Sequence, residues 1–187
     1  MGKPLYCDIE TRDVGLGDWL NKYGLTGDAA EIGCAWGGFA RLVLKTWKGQ
    51  KYIMVDPWIE QPKDIYKEKT DGVDFEQYWR DCRKLSEEDN RVVLIRKFSV
   101  AGAKDVPNDS LCFVHIDGNH SYESVIQDMD AWWPKLKSGG LFSGDDYGND
   151  RTYPNFCEVK SAVDRWMAEH KLTFVVCRRP AWWCIKP

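Results

Sequence analysis

At 187 residues the chain suits a single domain, residues 1–187, long enough to bury a real core. With 43% hydrophobic and 29% charged residues and a formal net charge of -3, it is an ordinary globular composition; no long basic run points to nucleic acid or a membrane surface as partner. No apolar run approaches a membrane span and the opening residues are too polar for a signal peptide, so a cytoplasmic location is the default expectation.

Along the chain, short β-like runs alternate with amphipathic stretches, the pattern of parallel α/β folds. The spacing predicts a helix over about Gly17 to Tyr23, within an N-terminal helical segment of about 12–24. Ala29 to Gly33 is the first strand, and Phe39, Leu42, Val43 and Trp47 follow at helical spacing. Tyr52 to Asp56 is the second strand; Pro57 and Pro62 then open a polar stretch before a helix around Phe75 to Leu85. Val92 to Ile95 and Leu111 to Asp117 are the third and fourth strands. Val125, Met129, Trp132, Trp133 and Leu136 mark a helix that should stop at Ser138, Gly139 and Gly140, a glycine C-cap signal. Leu141 to Gly144 is the fifth strand and runs into Asp145 and Asp146.

A helix from about Cys157 to Glu169 precedes a strand over Thr173 to Cys177, and Ala181 to Ile185 follows almost at once. Strands so close must pair as an antiparallel hairpin, because a parallel crossover needs about a dozen residues. The expected fold class is therefore α/β and Rossmann-like: a mostly parallel, seven-stranded sheet with helices on both faces and a C-terminal antiparallel hairpin. The seven cysteines are scattered, odd in number and without zinc-ligand spacing, which predicts reduced thiols, with Cys112 and Cys177 as small core residues.

In such sheets ligands bind beyond the carboxyl ends of the strands, and four polar clusters fall there. Glu31 to Gly38 forms a turn in which Gly33 and Gly37 let the backbone bend tightly and approach a ligand; a tight turn with no ligand would read the same way. Asp56 ends the second strand, where a carboxylate can accept both ribose hydroxyls of an adenosine, or simply serve the turn before Pro57. Asp117, Gly118, Asn119 and His120 end the fourth strand, and Asp145 with Asp146 the fifth. Converging carboxylates raise one another's pKa unless a cation intervenes, and three such oxygens suit magnesium; the alternative is a set of helix caps and a turn. His120, with an unperturbed pKa of about 6.5, could take a proton from a nearby hydroxyl. His115 within a strand and His170 at a helix C-terminus read as structural.

At these residues the chain resembles a class I S-adenosylmethionine-dependent methyltransferase. The turn Glu31 to Gly37 matches the Glu-[Ile/Leu]-Gly-x-x-x-Gly form of the catechol and caffeoyl-CoA O-methyltransferases. Val114 to Val125, Leu136 to Leu141 and Gly144 to Tyr147 resemble the bacterial methyltransferase type 24 group. The resemblance implies that Glu31, Gly33, Cys34, Ala35, Gly37, Asp56, Ser99 and Asp117 bind S-adenosylmethionine. Within that set Glu31, Gly33 and Gly37 surround the methionine end, Asp56 the ribose and Ser99 the adenine. It implies Asp117, Asp145 and Asp146 as ligands of Mg2+, with transfer to a hydroxyl of a small-molecule acceptor. Sugar O-methyltransferases of this kind carry an Asp base where Asn119 stands, and the catechol group a Lys where His120 stands, which makes His120 the candidate base.

Two other readings compete: a module of the same fold that binds cofactor or a partner without catalysis, and a nicotinamide-dependent oxidoreductase. Ala35, standing where the second Gly of a dinucleotide turn belongs, and the terminal hairpin argue against the oxidoreductase. Trp58, Tyr66, Trp79, Tyr147 and Tyr153 are candidate walls of an acceptor pocket, and exposed aromatics would make a homodimer unsurprising.

Overall fold

The computed structural model describes residues 5–7, 15–64, 66, 70–148, 158–177 and 181–187, the first three by backbone alone. Eight strands among them make one sheet: β1 (Leu5–Cys7), β2 (Asp28–Ile32), β3 (Tyr52–Val55), β4 (Val92–Ile95), β5 (Leu111–Ile116), β6 (Leu136–Gly144), β7 (Val175–Cys177) and β8 (Trp182–Ile185). Their order across the sheet is β1-β7-β8-β6-β5-β2-β3-β4. Every pair is parallel except those of β8, which lies antiparallel between β6 and β7. The seven strands expected from the sequence are β2 to β8, and the terminal hairpin forms. The eighth, β1, is an edge strand parallel to β7 that the sequence pattern did not signal.

The central strands β2, β3 and β5 are buried almost throughout, as near-continuous apolar runs require when helices cover both faces. Period-2 alternation sends Ile32, Val55, Val114 and Phe142 to one face, under α5 (Tyr122–Trp132) and α6 (Val159–Glu169). Ala29, Met54 and Phe113 face the other way, under α1 (Leu16–Lys22), α2 (Gly38–Leu44) and α3 (Phe75–Glu88). A short helix α4 (Ser99–Gly102) follows β4. Residues 12–14 of the expected N-terminal helical segment, and Cys157 at the expected start of the helix before the hairpin, lie outside the described residues. Cys34, Cys82, Cys112 and Cys184 are buried free thiols, and Cys177 is buried. No helix among the described residues is long and apolar enough to cross a membrane.

One boundary differs from expectation. The helix ends at Trp132 and a single 3-10 turn carries Pro134, while Ser138, Gly139 and Gly140 belong to β6. Those glycines serve an irregularity in the sheet: Leu111 pairs with Leu136, but two residues later Phe113 pairs with Leu141. The extra residues turn outward with Gly139 at φ 78°, and Gly139 and Gly140 exchange backbone hydrogen bonds with Lys186. A glycine pair mimics a helix C-cap because both features need the left-handed conformation.

Because β2 leads to β3 and β4 on one side and β5 lies on the other, the chain reverses its winding between β2 and β5. The carboxyl ends of β2, β3, β5 and β6 open on that switch point. Gly144, the last residue of β6, packs under Trp182: a Cβ there would lie 2.6 Å from the indole and 2.7 Å from the Ile116 carbonyl. Gly144→Ala should therefore cost about 1–3 kcal/mol by overpacking. Urea denaturation measures this, and an unchanged midpoint would contradict the packing described.

Candidate active site

The turn after β2 is held in a conformation that L side chains rarely adopt. Gly33, Ala35 and Gly37 have φ of 83°, 45° and 80°. A Cβ on Gly33 would fall 2.0 Å from the Asp117 carbonyl oxygen, so only glycine permits this backbone to touch the loop after β5. Gly33 N–H donates to the Val55 carbonyl at 2.9 Å and Asp117 N–H to the Ile32 carbonyl at 2.7 Å, tying the turn to both neighbouring strand ends.

Asp56 closes the turn from the β3 side. Its Oδ2 accepts the backbone N–H groups of Cys34 (3.0 Å) and Ala35 (3.1 Å), and its Oδ1 that of Trp58 (2.7 Å). Burial raises the Asp56 pKa, and these three donors oppose that rise by stabilising the carboxylate. The Ala35 carbonyl is held in turn by the Trp58 indole N–H at 2.7 Å and the Cys82 thiol at 3.3 Å. Asp56 thus serves the turn and also faces a cavity.

That cavity has a volume of about 460 Å³, the size of a drug-sized ligand site. Gly33, Ala35, Asp56, Ser99 and Asp117, among the expected cofactor residues, line it. Glu31, Cys34 and Gly37 do not. Glu31 is buried in the sheet and accepts a hydrogen bond from the Tyr52 hydroxyl at 2.9 Å. The Cys34 thiol points inward to the carbonyls of Glu31 and Val55, leaving only its N–H for the turn. Gly37 is the N-cap of α2, its α-carbon packed against Met54 and Cys82.

Asp128 also lines the cavity, and sequence reasoning missed it. It sits in α5 and is only 5% exposed. Burial pushes its pKa up to about 7, against a smaller lowering by the Ser99 hydroxyl. The available signal was an acid at helical spacing within the buried stripe Val125, Met129 and Trp132.

A second group of side chains meets at the cavity edge. His120 Nε2 lies 3.5 Å from Asp117 Oδ1 and 3.2 Å from Asp146 Oδ2. Asp117, His120 and Asp146 offer ligand atoms within 4.8 Å of one another, a set able to hold a metal ion. This group differs from the expected carboxylate trio in taking in His120 and leaving out Asp145. Asp145 continues β6, its side chain buried and its N–H bonded to the Ile116 carbonyl. At Asp146 the backbone turns to φ 56°, which brings its carboxylate back toward His120.

The remaining candidates divide. His115 is buried, stacked on Phe39 and hydrogen-bonded to Ser143, and His170 caps α6 against the Trp166 carbonyl, so both are structural. Tyr66 lines the cavity. Trp58 is buried with Trp79 packed beside it, and Tyr147 is buried with its hydroxyl bonded to Asp164. Tyr153 lies outside the described residues.

Residues 30–147 match the family model of a methyltransferase domain, type 24. The fold is shared with the O-methyltransferase NovP, at a TM-score of 0.67 and 19% identity over 92% of this chain and 77% of that one. It is shared too with a candidate caffeoyl-CoA O-methyltransferase from Staphylococcus aureus, at 0.68 and 13% over 97% and 86%. A candidate rRNA methylase from Clostridium thermocellum gives 0.61 and 18% over 96% and 97%. At these identities the likeness shows a common fold and leaves the acceptor open. No curated protein sequence matches the chain.

Two outcomes follow. Gly33→Ala should abolish binding of S-adenosylhomocysteine and lower stability by about 2 kcal/mol or more, through strain and the clash with Asp117; calorimetry and urea denaturation would read both, and a variant binding like wild type would contradict the turn geometry. Asp128 should also shape the pH dependence of stability. Its unfolded pKa is about 4, and the folded value is about 7. Folding then takes up a proton between these values, so the stability Asp128 allows declines as pH rises through that window. The wild-type melting temperature should fall relative to Asp128→Asn across it and run parallel above it. Identical profiles would contradict the burial of this carboxyl.

Proposed function

The chain belongs to the type 24 methyltransferase family, within the class I S-adenosylmethionine-dependent methyltransferases, and from that premise we propose that it methylates a hydroxyl oxygen of a small acceptor with the help of a divalent cation. The observation that carries this reading is the double membership of Asp117. It lines the cofactor-type cavity and belongs to the Asp117, His120 and Asp146 group, so a cation and a methyl donor would meet at one residue.

The donor set fits a divalent ion. Two carboxylates and one imidazole converge, at the partly exposed cavity edge rather than in the core. Should the imidazole also coordinate, it would widen the choice beyond Mg2+ toward Mn2+ and other first-row metals. A divalent ion held by Asp117 and Asp146 would supply Lewis-acid chemistry that lowers the pKa of a nearby hydroxyl. S-adenosylmethionine supplies the methyl group on its sulfonium.

The chain's own residues do the rest. Gly33 and Ala35 bring backbone against the cofactor, and Asp56 accepts from its ribose hydroxyls. Asp117 and Asp146 supply the oxygens that hold the cation. His120 takes the acceptor's proton at Nε2. An imidazole nitrogen that held the cation could not take this proton, so His120 would serve only one of the two roles. Pro57, Ile59, Val73, Phe75 and Tyr78 give the cavity an apolar wall on which a small acceptor can rest.

Turnover of labelled S-adenosylmethionine across a panel of small hydroxylated acceptors, with and without Mg2+ or Mn2+, tests this reading. Cation-stimulated transfer to oxygen is the expected result. Cofactor binding with no turnover on any acceptor would favour a catalytically silent module instead. Asp146→Ala should remove at least about tenfold of the cation-stimulated rate while keeping cofactor affinity. His120→Ala should lower the rate by roughly 10²-fold and keep cation affinity; a fall in cation affinity would make it a ligand instead.

A further inference from the structure

The proposed reaction leaves one polar wall of the cavity without a task. Asp128 lies in an otherwise apolar stripe of α5 and is nearly inaccessible, yet it contributes to the cavity beside Ser99. Ser99 is directed by one bond. Its Oγ accepts from the Trp132 indole N–H at 2.9 Å, which leaves the hydroxyl's own hydrogen for a neighbouring acceptor, and the Asp128 carboxyl, whose pKa this hydroxyl lowers, is one. On the facing loop Gly118 has no side chain, and a Cβ there would stand 3.3 Å from Asp128 Oδ2. Val55, Phe98 and Val100 line the same cavity and offer apolar surface for the faces of a flat ring.

A carboxyl that is only 5% exposed loses hydration and must offset that loss with hydrogen-bond donors; burial here pushes its pKa up to about 7. A ligand donor meeting the same carboxyl would complete the compensation. The adenine of the cofactor carries such a donor in its exocyclic amino group.

We infer that Asp128 accepts a hydrogen bond from the 6-amino group of the cofactor's adenine, with Ser99 holding the carboxyl in position. Asp128 is then a specificity-determining residue for adenosine over 6-oxo purine nucleosides. A 6-oxo purine would set a carbonyl oxygen against the carboxylate, leaving two acceptors face to face. This rests on the reading that the cavity holds S-adenosylmethionine.

The experiment is calorimetric titration with S-adenosylhomocysteine and with S-inosylhomocysteine, at about pH 8, where the carboxyl is mostly ionised. Wild type should prefer the adenosyl ligand by at least about 100-fold. Asp128→Asn, whose amide donates to a 6-oxo group, should bring that ratio close to one or reverse it. Ser99→Ala should reduce the ratio by about tenfold, and it serves if the Asn variant does not fold. Wild type binding both ligands within about threefold would overturn the inference whatever the variants do, as would an Asn variant that discriminates like wild type. Failure of wild type to bind S-adenosylhomocysteine at all would instead overturn the cofactor reading beneath it.

Discussion

The site depends on one carboxylate bonded to a left-handed turn. Asp56 accepts the N–H groups of Cys34 and Ala35, and without it these two backbone donors would lose their acceptor. The bond joins the ends of β2 and β3, while the Gly33 contact with the Asp117 carbonyl joins β2 to β5. Three strand ends are thereby fixed relative to one another. Charge-assisted bonds to a carboxylate are stronger than neutral ones, worth about 1.5–3 kcal/mol each when buried, so the geometry is set before any ligand arrives. A crevice shaped in this way spends little binding energy on ordering itself.

Much of this was legible in the sequence. Alternation of apolar runs gave β2 to β8 within a few residues, and the short gap before Trp182 required the antiparallel hairpin. Gly33, Ala35, Asp56 and Asp117 could be placed beyond the strand ends because parallel strands all end on one side of the sheet, and Ser99 through the family resemblance. Where the geometry departs from the expected placement, the causes are local. Glu31 follows the family motif, yet the strand's period-2 alternation turns its side chain into the sheet toward Tyr52. Asp145 and Asp146 are adjacent, and the backbone turn at Asp146 separates their destinations. Asp128 sits in a helix, where an acid normally faces solvent, and only the packed structure reveals that it faces a cavity.

On the proposed reading, His120 would be the residue that sets the chemistry of this site. A set of oxygens alone would favour magnesium; an imidazole among them would either widen the choice of metal or, left uncoordinated, carry a proton. It lies between carboxylates drawn from the loop after β5 and the end of β6, two segments that meet only because β5 and β6 are paired. The acceptor-side wall comes from the stretch between β3 and α3, the least regular part of the cavity. Loops of this kind generally vary in sequence more readily than the strands beneath them, so on the proposed reading acceptor choice would lie there and methyl-donor binding on the sheet.

The central claim is that Asp56 and the turn it holds form the cofactor site. Titration of S-adenosylhomocysteine into wild type and into Asp56→Ala, each checked for folding by circular dichroism, tests it most directly. The account predicts binding by wild type and a loss of about 100-fold or more in the variant, as the ribose acceptor and the anchor of the turn disappear together. Equal affinity in the two folded proteins would contradict it.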